Sequence, residues 1–259
     1  MVGTLPTEIR ALSHLKLLHL DNNKLRGSLP GYSITKLTKL TSLHLGTNEL
    51  SSTLPFNFGL IDKLRTLRLG ENRLESSLPT TFTWLSKLVE LDLSENLLSG
   101  STQPLIDSGL ANLQTINLSG NKFKGTLAPE VEVMSSLRSF SAARNLLTGT
   151  FPWGFLPREN LTELVLDGND FTGSLPSYIN QFSKLTILKL DNNSIGGSIP
   201  TEIGNLTKLE VLSIGSNELS GTLPTSLGGL TSLEYLILDE NEFTGSVPMQ
   251  YVNMDSLSK

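Results

Sequence analysis

The apolar positions of this chain fall on a fixed beat. Leucine stands at Leu15, Leu40, Leu64, Leu88, Leu113, Leu137, Leu161, Leu185, Leu209 and Leu233, each eight residues before an asparagine. Those asparagines are Asn23, Asn48, Asn72, Asn96, Asn121, Asn145, Asn169, Asn193, Asn217 and Asn241, separated by 24 residues seven times and by 25 twice. Five and three residues before each come apolar pairs such as Leu18 and Leu20, Leu67 and Leu69, Leu188 and Leu190, or Leu236 and Leu238. A large apolar residue follows two positions after, from Leu25 to Phe243, and proline follows seven after in eight units, with Pro104 and Pro129 one residue later. Five offsets recurring in ten units are an internal repeat, and a period of this length marks a solenoid.

Leu18-His19-Leu20 alternates apolar and polar residues, so its leucines share one face and the residues between them share the other. So short a strand does not stand alone. Ten of them stacked in parallel at about 4.8 Å per rung make one sheet roughly 45 Å long, its leucines filling the inside of a coil. The predicted fold is an α/β-type repeat solenoid over residues 1–259, a single domain of about ten units. It is a right-handed coil with a concave parallel sheet, one short strand per repeat, and an irregular or 3-10 convex side. Each asparagine marks the corner where the chain leaves the sheet, its amide both donating to and accepting from the backbone of the turn. Proline fixes an extended return path, and glycine before it, as at Gly27, Gly100, Gly125, Gly149, Gly173, Gly197, Gly221 and Gly245, permits a tight bend.

Composition narrows the functional classes. The chain holds 53 leucines, no cysteine, and 20 Lys plus Arg against 25 Asp plus Glu, a net charge of −5. Nucleic acid is not an expected partner, and thiol catalysis, zinc-thiolate sites and disulfides are excluded. No run of about 18 apolar residues is present, and Met1 to Pro6 lacks the basic and apolar parts of a signal peptide. No nucleophile elbow, phosphate loop, dinucleotide fingerprint or HExxH occurs, and the histidines are His14, His19 and His44 only. Neither catalysis nor a cofactor is expected.

The segment from Leu209 through Asn217, Leu219 and Gly221 to Pro224 follows the pattern L-x-x-L-x-L-x-x-N-x-L-x-G-x-[IL]-P throughout. On these residues the chain resembles the plant-type leucine-rich repeat proteins over essentially its whole length. The resemblance implies a solenoid used for binding, as in receptor-like or inhibitor-like ectodomains, with an extracellular or cell-surface setting and a membrane-associated parent. The family's cysteine-paired caps, signal peptide, membrane helix and kinase are not in this sequence. The start at Gly3-Thr4-Leu5-Pro6 and the end at Leu257 to Lys259 are read as an excerpt from a longer array. Uncovered ends of such an array favour end-to-end association.

Two units depart from the pattern. Thr102 stands where an apolar residue precedes the proline, with Gly109 following, and Ala142 stands where the strand of the Asn145 unit calls for leucine. Trp153 and Phe155 are expected to fill the volume that alanine leaves, a functional kink being the alternative.

Function is expected on the exposed side of the sheet. Four residues before each asparagine the exposed row runs from His19, His44 and Arg68 through polar residues to Val165, Lys189, Ser213 and Ile237. Six before, it ends Ile187, Val211 and Tyr235. Val165, Ile187, Val211, Tyr235 and Ile237 form either an apolar contact patch anchored by tyrosine or a mere record of strand propensity. His19, His44 and Arg68 form a polar patch suited to a partner, and a metal is not expected because a third ligand is absent and Arg68 repels cations. Asp167, Asp170, Asp191, Asp239 and Glu240 are assigned to turn chemistry. Glycosylation sequons at Asn117, Asn160, Asn192 and Asn205 carry no weight, and Asn117 faces the concave sheet.

The expectation is a non-catalytic binding module recognising a protein, peptide or glycan through the concave sheet. The alternatives are an intracellular adaptor, cytoplasmic if the parent lacks an export signal, and direct recognition of ice. Irregular exposed rows argue against the last.

Overall fold

The computed structural model describes residues 1–106, 110–127, 134–151, 159–254, 256 and 257. Strands Leu17–His19, Ser42–His44, Thr66–Arg68, Glu90–Asp92, Thr115–Asn117, Ser139–Ser141, Glu163–Val165, Ile187–Lys189, Val211–Ser213 and Tyr235–Ile237 form one ten-stranded parallel sheet. Spatial order in it follows chain order, as a coil requires. Leu18 pairs with Leu43, Leu43 with Leu67, and Leu188 with Leu212, so every apolar position stacks on its own kind. From Leu43 to Leu212 the central residue of each strand is at most 3% exposed.

A second strand per repeat departs from the expected irregular side. Just past each asparagine, Lys24–Gly27, Glu49–Thr53, Arg73–Ser76, Leu97–Gly100, Lys122–Gly125, Leu146–Thr150 and Asp170–Thr172 pair in parallel, preceded by Val2–Gly3. Gly196–Gly197, Glu218–Thr222 and Glu242–Thr244 continue the series, joined to it by a bridge between Ser174 and Gly196. These strands arise because identical stretches stand one rung apart with their amides facing each other; pairing then satisfies groups that have no partner within their own repeat.

Prolines at the start of the convex segments hold φ between −60° and −79° ahead of 3-10 turns at Phe56–Leu60, Thr80–Trp84, Ser177–Gln181, Thr201–Asn205, Thr225–Gly229 and Met249–Asn253. Among the described residues, the two units of 25 residues carry an α-helical turn instead, at Gly31–Ile34 and Gln103–Ile106. The extra residue is absorbed there, and the sheet register does not shift. No helix among the described residues is long and apolar enough to cross a membrane.

The irregular strand is repaired from within. Phe140 and Ala142 lie two residues apart on one inward face, 3% and 0% exposed, so the large ring stands beside the small methyl. Trp153 and Phe155, expected to fill that space, lie outside the described residues, as do Gly109, Pro129 and Pro152. Thr102 is 2% exposed, and its hydroxyl has no hydrogen-bond partner.

The corner is the most repetitive part of the structure. Nδ2 of Asn96 donates to the carbonyls of Leu93 and Ser94 in its own turn and of Leu69 in the preceding rung, at 2.9–3.2 Å. Its Oδ1 accepts from the N–H of Leu74, also in the preceding rung. Asn48, Asn72, Asn121, Asn145, Asn169, Asn193, Asn217 and Asn241 repeat this set, and Asn23 makes the two bonds to its own turn. The residue before each asparagine is left-handed, from Asn22 at φ 56° to Glu240 at 52°. Four residues after each asparagine φ is again positive, with glycine there in every unit except two, which hold Ser52 and Ser76.

Two outcomes follow. Asn96→Leu, at a site 6% exposed, strands the Leu74 N–H and takes one of two donors from the carbonyls of Leu69, Leu93 and Ser94, lowering unfolding free energy by about 2 kcal/mol in urea titration. Ser76→Gly relieves a left-handed φ of 79° and raises it by about 0.5 kcal/mol, the strain released being larger than the unfolded-chain entropy gained.

Candidate functional site

Alternate strand residues leave the main sheet on its open face and stand in columns. Register places Ser141, Val165, Lys189, Ser213 and Ile237 side by side in one, and Ser139, Glu163, Ile187, Val211 and Tyr235 in the next. A third column, two residues before the asparagines, carries Asp167, Asp191 and Asp239. A groove of about 760 Å³ runs over these columns, lined by Val165, Val211, Tyr235 and Ile237 together with Ser119, Ser141, Arg144, Asp167, Lys189, Asp191 and Asp239.

Four of the five apolar residues singled out from sequence thus share one wall. Tyr235 and Ile237 are 53% and 44% exposed, while Val165 and Val211 are half-buried. Ile187 is half-buried between Glu163 and Val211 and does not border the groove. Apolar area left open in a concavity is area that a ligand removes from water, and a tyrosine at one end supplies a rigid anchor.

The aspartates are the part that turn chemistry hides. Asp191 does serve the turns: its Oδ1 accepts from the Ser213 hydroxyl at 2.7 Å and from the Gly215 N–H at 3.0 Å on the next rung. Asp21 does the same for Gly46 at 2.8 Å. Yet Asp167, Asp191 and Asp239 also border the groove, and burial followed by the charge of Asp191 holds the Asp167 carboxyl above its ordinary range. The signal available in sequence was the shared offset, which puts the three carboxylates on one line.

At the other end of the sheet His19 and His44 stack, ring centres 3.9 Å apart and planes within 3°. Ser42 lies between their Nε2 atoms, 2.7 Å from His19 and 3.0 Å from His44, and Thr66 donates to Ser42 at 2.6 Å. His44 Nε2 is also 3.1 Å from the Thr66 hydroxyl. Since that hydroxyl has one proton and gives it to Ser42, the proton count runs His44 N–H to Thr66, Thr66 to Ser42, and Ser42 to His19. Burial, then the neighbouring His19 and Arg68, holds His44 below the ordinary histidine value, against the pull of Asp21 and Glu90. Arg68 is not a free cation: it forms a two-bond pair with Glu90 at 2.6 and 3.0 Å. The positive charge in this expected polar patch is therefore paired within the protein.

The asparagine ladder belongs to the scaffold, and Asn117, whose side chain accepts from the Ser119 N–H at 3.1 Å, sits on the main sheet.

A quasi-one-dimensional coil with a groove over its parallel sheet defines a repeat solenoid with an open sheet face. The leucine rich repeat pattern matches residues 62–123 and 183–243, and again 160–182, and the chain belongs to the leucine-rich repeat family. It is similar to Receptor-like protein 39 of Arabidopsis thaliana, 31% identical over 176 residues covering 68% of this chain and 14% of that protein. Its structure resembles the plant peptide hormone receptor RGFR1 in complex with RGF2, with TM-score 0.91, 30% identity, and coverage of 99% of this chain and 41% of the other. A plant ice-binding protein is also similar, with TM-score 0.81, 27% identity, and coverage of 95% and 78%. The chain thus spans less than half the length of the receptor relatives.

His44 makes stability depend on pH. The folded protein keeps His44 neutral to lower pH than the unfolded chain does, so the unfolded chain takes up more protons as pH falls below 6.5 and stability drops there. In thermal melts between pH 7.5 and 5, His44→Gln loses less of its melting temperature than the parent does.

Proposed function

We propose that this chain is the ligand-reading segment of a receptor-like protein and binds an extended peptide in the groove over its second half, without catalysing a reaction. The observation that carries this reading is the groove itself, where Tyr235, Ile237, Val211 and Val165 offer apolar contact beside a line of carboxylates. Residues in a column recur at about 4.8 Å per rung, while an extended peptide repeats side chains at about twice 3.3 Å on one face, so each successive side chain meets the column one or two rungs farther on. Apolar side chains fit the floor, and a cationic group fits Asp167, Asp191 and Asp239. The likeness to a peptide hormone receptor supports the same use of the fold.

A second reading, ice recognition, is favoured by the likeness to the plant ice-binding protein. The column on the open face of this sheet runs His19, His44, Arg68, Asp92, Asn117, Ser141, Val165, Lys189, Ser213, Ile237, with Ser213 buried, and lacks the regularity that a lattice demands.

A random peptide library displayed on phage and selected on this chain is expected to yield apolar sequences with a nearby Lys or Arg. Truncation of one anchor costs about 2 kcal/mol, so Tyr235→Ala weakens the selected peptide roughly thirtyfold. Ile237→Ser adds to the loss, and the melting temperature stays that of the parent. Peptides that bind both proteins equally sink the assignment, and thermal hysteresis in an ice-growth assay transfers it to ice.

A further inference from the structure

Each turn leading into a main-sheet strand ends nine residues before its asparagine, and on three successive rungs that residue is an exposed lysine: Lys39, Lys63 and Lys87. Seven residues before the asparagine come Lys16 and Arg65, also exposed and set in a backbone ladder in which Thr41 N–H donates to Lys16 and Arg65 N–H donates to Thr41, each at 2.8 Å. Lys36, its ammonium 4.7 Å from the centre of the Tyr32 ring, completes the group. Between twelve and seven residues before the asparagine in these four units, the one carboxylate is Asp62. Six cations against one anion give a local charge of +5 on a chain whose net charge is −5. None of the six joins an ion pair among the described residues. Among the described residues the same edge farther along is balanced, with Arg138, Lys184 and Lys208 against Glu159, Glu210 and Glu234.

Lys39, Lys63 and Lys87 form one line along the edge, with Lys16 and Arg65 in the column beside it. Side chains at this offset reach from rung to rung: Lys184 Nζ lies 3.3 Å from Oδ1 of Asn160, its counterpart one rung earlier. Three residues before Lys63 and Lys87 stand Leu60 and Trp84, 55% and 56% exposed. Cations repeated at about 4.8 Å along a line match a polymer whose charges recur on that scale. An indole face alongside suits the C–H face of a sugar ring.

We propose that this edge binds a linear acidic glycan carrying one carboxylate per sugar ring, the lysines taking successive carboxylates and Trp84 packing on a ring between them. The surface is separate from the peptide groove in both rung and column, so the two are tested independently.

The test measures binding of fluorescent polygalacturonate to the parent chain and to a variant carrying Lys39→Gln, Lys63→Gln and Lys87→Gln. The parent binds, and the variant binds about tenfold more weakly or worse. Binding weakens with added salt and with Trp84→Ala, and is unchanged by Tyr235→Ala. Because the lysines are exposed, the variant melts with the parent; should it not, Trp84→Ala and the salt series decide. Absence of binding, equal binding by parent and variant, or equal binding of neutral dextran overturns the proposal. Tighter binding to phosphatidylserine vesicles or to single-stranded DNA than to polygalacturonate overturns it as well.

Discussion

One side-chain amide per rung holds this protein in its period. Each asparagine from Asn48 to Asn241 ties the carbonyls of its own corner to a carbonyl and an N–H of the rung before, so it is at once a turn residue and an inter-rung clasp. Asn72, Asn96, Asn121, Asn145 and Asn169 do so at 6–9% exposure, where an unmatched amide is most costly. The corner reaches the amide only by turning left-handed just before it, and strained residues such as Thr47, Glu71 and Arg144 accept that conformation because several hydrogen bonds hold them there. Stability of this kind is a chain of neighbour terms, and each clasp is one link.

A fixed period converts offsets along the sequence into columns in space. Once the leucines, asparagines and prolines are placed, residues at the remaining offsets are free to vary without disturbing the fold, and each offset becomes a strip of surface. The groove uses the columns two, four and six residues before the asparagine; the lysine edge uses those seven and nine before. Two surfaces of different charge therefore coexist on one scaffold of net charge −5 without sharing a residue.

The main sheet was legible because ten units give ten independent readings of one pattern, and the inward face of Leu43, Leu67 or Leu188 follows from alternation alone. The second sheet was not, because Lys24–Gly27 and its counterparts carry turn residues and become strands only through the neighbouring rung. For the same reason Arg68 read as a free cation: Glu90, its partner, is 22 residues away in sequence but one rung away in space. His19 and His44 were visible as neighbours, whereas the hydroxyl relay through Ser42 and Thr66 needed the columns crossed with the register. Asp167, Asp191 and Asp239 fit turns well enough that local chemistry concealed their shared line.

The irregular units show where this architecture has slack. Insertion of one residue changes a 3-10 turn to an α turn at Gly31–Ile34 and Gln103–Ile106, on the side away from the main sheet, while Leu43 and Ile116 keep their pairing with the strands on either side. An insertion inside a strand would instead send its leucines outward and break every bond to two rungs. The two extra residues are thus absorbed on the side away from the main sheet, and the sheet keeps its columns aligned across all ten rungs. Thr102, buried with an unpaired hydroxyl beside one of these insertions, marks the point where the repeat tolerates a local loss because the neighbouring asparagines, Asn96 and Asn121, remain fully bonded.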